Sequence, residues 1–166
     1  MFPTKIVLAT DGSEEATLAA QIAAELASKT DSELHIVHAR PRLTPHYPGY
    51  YVGPGVMEGA AEKERKHLDQ EAQRLLVAQV EQVRAAGGST AQTHLRIGRI
   101  DEEIVAAAEE LGAGLIVVGS RGQGAMRRAL MGSVSQSVVR HAHCPVLVVR
   151  AKERQEEEDL AEVGLV

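Results

Sequence analysis

Aromatic side chains are scarce: the 166 residues include one Phe, three Tyr and no Trp. Base stacking on aromatic rings is a main device of single-strand nucleic-acid binders, and this chain has little to do it with. Positive charge is short as well. Lys and Arg number 18 against 23 Asp and Glu, a formal net charge of −5, whereas a nucleic-acid surface calls for the opposite sign. A single cysteine, Cys144, excludes an intrachain disulfide and suits a reducing compartment. No apolar run is long enough to span a bilayer, and the opening MFPTK lacks the apolar core of a secretory signal. The expectation is a cytoplasmic protein with no membrane or nucleic-acid partner, of a length that suits one domain with a sizeable core.

What the chain does have is glycine in a telling place. Residues 115–118 (LIVV) read as a buried strand. Gly119, Gly122, Gly124 and Gly132 follow, and Ser133-Val134-Ser135-Gln136 forms a capping box of the S-x-x-Q type that opens a helix. A Gly-rich loop entering a helix N-terminus is a phosphate cradle, because backbone N–H groups can close on an anion and the helix adds unpaired donors and a positive dipole end. The spacing is G-x2-G-x9-G-S/T, met by Gly119, Gly122, Gly132 and Ser133. With glycine at about 7% of residues, its chance occurrence in such a chain is on the order of one in a hundred. It is neither the P-loop pattern, since no Lys follows these glycines, nor G-x-G-x-x-G. The alternative is a surface loop with Ser133 merely capping its helix.

Elsewhere strands and helices alternate. Residues 5–9 (KIVLA) form a first strand, and Thr10-Asp11-Gly12-Ser13 turns into a helix capped by Ser13, with Glu14 and Glu15 suited to its positive end. That helix has a face of small residues, Ala16, Ala19, Ala20, Ala23 and Ala27, which allows close approach to a sheet. Asp11, an acid at the C-terminal end of a first parallel strand, stands where such sheets bind ligands; an Asp bonded within its own turn is the other reading. Residues 34–39 (LHIVHA) form a second strand whose His35 and His38 fall on opposite faces, which suits rim or packing positions better than metal ligation. A Pro-, Gly- and Tyr-rich loop covers 40–57, a long amphipathic helix 58–86, and a polar, edge-like strand 90–97. A helix with Ile104, Ala107, Ala108 and Leu111 inward ends at Gly112. The His141-Ala142-His143-Cys144 cluster has no distant partner pair with ligand spacing. A last strand, PVLVV, precedes an acidic tail over 151–166.

At the glycine signature the chain resembles the universal stress protein family, in its ATP-binding branch, which carries the same G-x2-G-x9-G-S/T spacing. The resemblance runs over residues 5–150 and includes Ala9-Thr10-Asp11-Gly12-Ser13 and Pro145-Val146-Leu147-Val148-Val149. It implies an α/β, Rossmann-like nucleotide-binding fold over residues 1–150. Together with right-handed crossovers, it suggests a five-stranded parallel sheet in the order 3-2-1-4-5 with helices on both faces. It further implies bound ATP, with magnesium, and a homodimer joined through the last strand. Asp11, with Thr10 beside it, would then hold the adenosine end, and Ala39 and Val118 would line the base pocket. Gly119, Gly122 and Gly132 would admit the phosphates, with Ser133, Val134 and Ser135 at the helix start. Arg121, Arg127 and Arg128 are candidate phosphate clamps or a solvated face. One departure stands out: the family's usual Gly-Asp-Pro turn is Gly98-Arg99-Ile100 here, so the following helix loses its Asp cap or shifts it to Asp101. The expected role is a nucleotide-dependent stress-response or regulatory protein with an unknown protein partner. A slow ATPase or self-phosphorylating enzyme and a nucleotide-free dimeric interaction protein are the alternatives.

Overall fold

The computed structural model describes residues 5–42, 54–88, 91–123 and 131–151, with residues 54–58 and 60 by backbone alone. Gly124, Arg127, Arg128, the tyrosines of the 40–57 loop and the tail from residue 152 lie outside the described residues. Strand β1 (Lys5–Ala9) leads to helix α1 (Glu14–Thr30), β2 (Glu33–Arg40) to α2 (Pro54–Ala85), and β3 (Ala91–Ile97) to α3 (Ile100–Leu111). Strand β4 (Leu115–Gly119), helix α4 (Ser133–His141) and β5 (Val146–Val149) follow among the described residues. Every strand pair is parallel and the order is β3-β2-β1-β4-β5, the α/β architecture expected from the alternation.

The reason lies in which strands are apolar throughout. Ile6, Val7 and Leu8 of β1 and Ile116 and Val117 of β4 have no exposed surface, because helices cover both faces of the central pair. On one face α1 and α2 pack Ala19, Ala20, Ala23, Leu76 and Val83 against Ile6, Leu8 and Ile36. On the other, α3 and α4 pack Ile104, Ala107, Ala108 and Val138 against Val7, Val37 and Val118. The row of alanines on α1 is fully buried, so this helix lies close to the sheet. Strand β3, at the edge, is the more exposed one.

Local signals account for most helix ends. Ser13 caps α1 by accepting the Ala16 N–H at 3.2 Å. Gly112, at φ 65°, closes α3 in the left-handed conformation that glycine adopts without strain. Two ends differ from expectation. Helix α2 begins at Pro54, not at 58, with proline in the first-turn position where its missing N–H costs nothing. Helix α4 takes Gly132, not Ser133, as its N-cap. The Gly132 N–H donates to the Ser120 carbonyl at 2.7 Å and Gln136 N–H to the Gly132 carbonyl at 3.0 Å, so the end of β4 pins the helix start one residue early.

Candidate functional site

The sheet order reverses between β1 and β4, and a cleft of about 350 Å³ opens at their C-terminal ends, where open α/β sheets take ligands. Its volume is within the usual range for small-molecule sites, ~300–1,000 Å³. All ten residues proposed from sequence line it: Thr10, Asp11, Ala39, Val118, Gly119, Gly122, Gly132, Ser133, Val134 and Ser135. Ile100 and Ile104 of α3, with Ala9, Ala16, Arg121 and Gln123, complete the described wall. Ile100 and Ile104 lie on the same face as Ala39 and Val118, which makes that end of the cleft apolar.

Asp11 is held from two sides. Its Oδ1 accepts the Ser13 N–H at 3.0 Å, the turn bond of the plainer reading. Its Oδ2 accepts the Gln123 N–H at 2.9 Å, and its carbonyl accepts from the Gln123 side chain at 2.6 Å. The β1 turn and the glycine loop are therefore tied together through Asp11 and Gln123. Thr10 is buried, its Oγ1 accepting the Gly12 N–H and its carbonyl facing His38 Nδ1 at 2.8 Å.

The glycines serve different neighbours. A side chain at Gly119 would press on the first turn of α1, with Glu15 backbone and Cβ at 3.1 Å. A Cβ on Gly122 would overlap the Asp11 carboxylate. At Gly132 the nearest atom is 3.4 Å away, an ordinary contact. Gly119 and Gly122 thus sit tight against their neighbours, and Gly132 has ordinary clearance.

The start of α4 is the chemically informative feature. Among the described residues no side chain caps α4. The N–H groups of Ser133, Val134 and Ser135 belong to its first turn, which has no intrahelical acceptors, and all three residues line the cleft. The Ser135 hydroxyl donates to the Ser120 carbonyl at 2.7 Å, which anchors the turn at the cleft. Such an N-terminus suits an anion.

One residue of consequence was not among those proposed. Glu15, in the first turn of α1, is buried, and its carboxylate accepts from Ser120 Oγ at 2.6 Å, from the Arg121 N–H and from Arg121 Nε at 2.8 Å. Burial works to raise its pKa, but these hydrogen bonds and the Arg121 charge outweigh it and hold the carboxyl below its ordinary range. Arg121, a candidate phosphate clamp from sequence, is ion-paired to Glu15. Glu15 was legible only as a helix-start acid, because its partners lie 105 and 106 residues away.

The Gly98-Arg99-Ile100 departure has a structural consequence. Arg99 stands at the N-cap of α3 without a side-chain capping bond. Asp101 does not take over as that cap residue; its Oδ2 accepts from Ser137 of α4 at 2.7 Å and from Arg99 at 3.0 Å. The lost cap becomes a link between the two helices that flank the cleft. In the His141–Cys144 segment, His141 turns back on Ser137, and His143 lies 3.9 Å from Glu109. Among the described residues no helix is long and apolar enough to cross a membrane.

Comparison with known proteins agrees with this geometry. The model of the universal stress protein family matches residues 3–150. A universal stress protein of Methanocaldococcus jannaschii is 34% identical over 151 residues, covering 91% of this chain and 84% of the relative. Among solved structures, the hypothetical protein MJ0577, whose biochemical function was assigned from its structure, superposes with a TM-score of 0.74 at 25% identity, over 90% of this chain and 97% of that one. A universal stress protein from Archaeoglobus fulgidus, solved in complex with dAMP, shares the fold at a TM-score of 0.64 and 24% identity, over 88% and 97% of the two chains. By sequence, by sheet order and by the match across nearly its whole length, this chain belongs to the universal stress protein family.

Proposed function

We propose that this protein binds ATP in the cleft between the ends of β1 and β4 and acts as a nucleotide-dependent stress-response or regulatory protein of the cytoplasm. The observation that carries the reading is the N-terminus of α4, without a side-chain cap among the described residues, lining the same cleft as Asp11. The amides of Ser133, Val134 and Ser135 suit the phosphates. Asp11 and Thr10 suit the ribose or adenine, and Ala39, Val118, Ile100 and Ile104 give the base an apolar wall. The adenine nucleotide held by the Archaeoglobus fulgidus protein on this fold supports the ligand class. Asp11 is the only acid among the described residues lining the cleft, so magnesium would arrive with the phosphates and be held mainly by them and by hydroxyls. The test is to denature the purified protein and identify any released nucleotide, followed by ATP titration calorimetry. Absence of both release and binding would instead favour a nucleotide-free interaction protein.

Binding without fast turnover is the expected behaviour. Phosphoryl transfer needs a clamp on the transferred group, a well-held metal and a residue orienting the nucleophile. Here the P-loop lysine is absent, Asp11 accepts from Ser13 and Gln123, and Glu15 is occupied by Ser120 and Arg121. Incubation with ATP and magnesium should release phosphate far more slowly than the median enzyme rate of about 10 per second. A rate near one per second, on the order of a typical enzyme, that is lost in Gly122→Val would make the protein an ATPase.

The same reading includes a homodimer. Strand β5 pairs only with β4 among the described strands, and its sequence VLVV has no charge or bulge to protect the edge. A two-fold pairing with a second β5 would cover it. Light scattering at micromolar concentration should report a dimer, and Val148→Lys should shift it to monomer. A wild-type monomer refutes the assembly while leaving the nucleotide site in place.

A further inference from the structure

Away from the cleft, two histidines meet across the seam that holds the edge strand. His35 of β2 is 2% exposed, and its Nδ1 lies 3.1 Å from Nε2 of His94 on β3, with ring centroids 5.3 Å apart. His35 Nε2 is buried without a hydrogen bond, the nearest carboxylate oxygen being Glu33 Oε2 at 3.4 Å. A contact between two imidazole nitrogens needs one proton between them. The Glu33 carboxylate favours a proton on His35 Nε2, which leaves His35 Nδ1 to accept from His94 Nε2–H. One added proton can go to the far nitrogen of His94. A second must go to His35 Nδ1, where it sets N–H against N–H and leaves two cations side by side in a buried place.

The surrounding charges do not relieve this. Glu33 is shared with Lys5 of β1, and Glu103 and Glu110 of α3 are both paired to Arg96, next on the same face of β3. Burial first, and then His35 and Arg96, keep His94 below its ordinary value, with only Glu110 opposing.

We propose that the His35–His94 contact makes the β2–β3 seam an acid-sensitive joint, in which protonation of both rings loosens β3 from the sheet while β1 and β4 stay paired. Strand β3 is suited to separate movement, because β2 is its only partner among the described strands. The unfolded chain takes up both protons near pH ~6.5. The folded pair takes up fewer, so its contribution is complete above that pH and is lost as pH falls below it.

Amide hydrogen exchange on the full chain at pH 7.5 and 5.5, corrected for intrinsic exchange, tests the proposal. Between these values, β3 amides should lose about tenfold more protection than those of β1 and β4, the effect of one extra proton over one pH unit. In His94→Gln, whose amide can still donate to His35, this excess should disappear. An equal loss over all strands, or an excess that persists in His94→Gln, overturns the proposal. Should that variant fail to fold, imidazole ¹⁵N titration of the wild type decides: His94 should titrate below the free value of ~6.5, whereas a His94 titration at that value overturns the proposal.

Discussion

Gly122→Val should bind ATP about thirtyfold or more weakly than the wild type, a loss of about 2 kcal/mol, the scale of one charge-assisted contact. The glycine spacing alone attributes this to blocked approach of phosphate to the loop backbone. The structure adds a nearer cause, since any Cβ at this position meets the Asp11 carboxylate that accepts the Gln123 N–H. In the proposed complex the side chain would act at both ends of the nucleotide, displacing Asp11 at the adenosine end and spreading the loop at the phosphate end. Gly122→Ala carries the same first clash and should retain only part of the affinity, whereas Gly132→Ala, with 3.4 Å of clearance, should fold normally and report on ligand approach alone. Calorimetric titration with ATP, accompanied by a thermal melt of each variant, separates binding from folding. Unchanged affinity in a folded Gly122→Val protein would remove the phosphate-loop assignment.

Glu15→Ala should be the most destabilising of the single substitutions considered. It leaves the Arg121 guanidinium and the Ser120 hydroxyl without their buried carboxylate. Breaking one side of such a pair costs about 3 kcal/mol or more, which in a domain of this size lowers the melting temperature by roughly 6–12 °C. Because the folded-state pKa of Glu15 lies below its ordinary value of 4.5, its stabilisation is fully present above that pH and is lost as pH falls through the depressed value. The wild type should therefore lose stability below pH 4.5 more steeply than Glu15→Gln, which has no proton to take up there. Equal melting temperatures for Glu15→Ala and wild type at neutral pH would show that this contact does not hold the loop.

Much of this protein follows from short-range pattern in its sequence. Continuous apolar runs specify strands buried on both faces, and alanines at helical spacing specify a helix lying close to a sheet. Ser13 and Gly112 mark helix ends because a cap is a bond between neighbours in the chain. The alternation of strands and helices dictates a parallel sheet, and the point where its order reverses brings Asp11 and Gly119 to one cleft. What only the tertiary structure decided are the contacts between residues far apart in sequence, which have no local signature. Ser133-Val134-Ser135-Gln136 reads as a cap by itself, yet the Ser120 carbonyl captures the Gly132 N–H and the Ser135 hydroxyl and makes Gly132 the N-cap of α4. Glu15 reads as an ordinary first-turn acid until close packing of α1 on β4 buries it against Ser120 and Arg121. His35 and His94 read as unrelated packing residues, and become a pair because parallel register sets Val37 opposite His94 and brings the ring at position 35 diagonally against it.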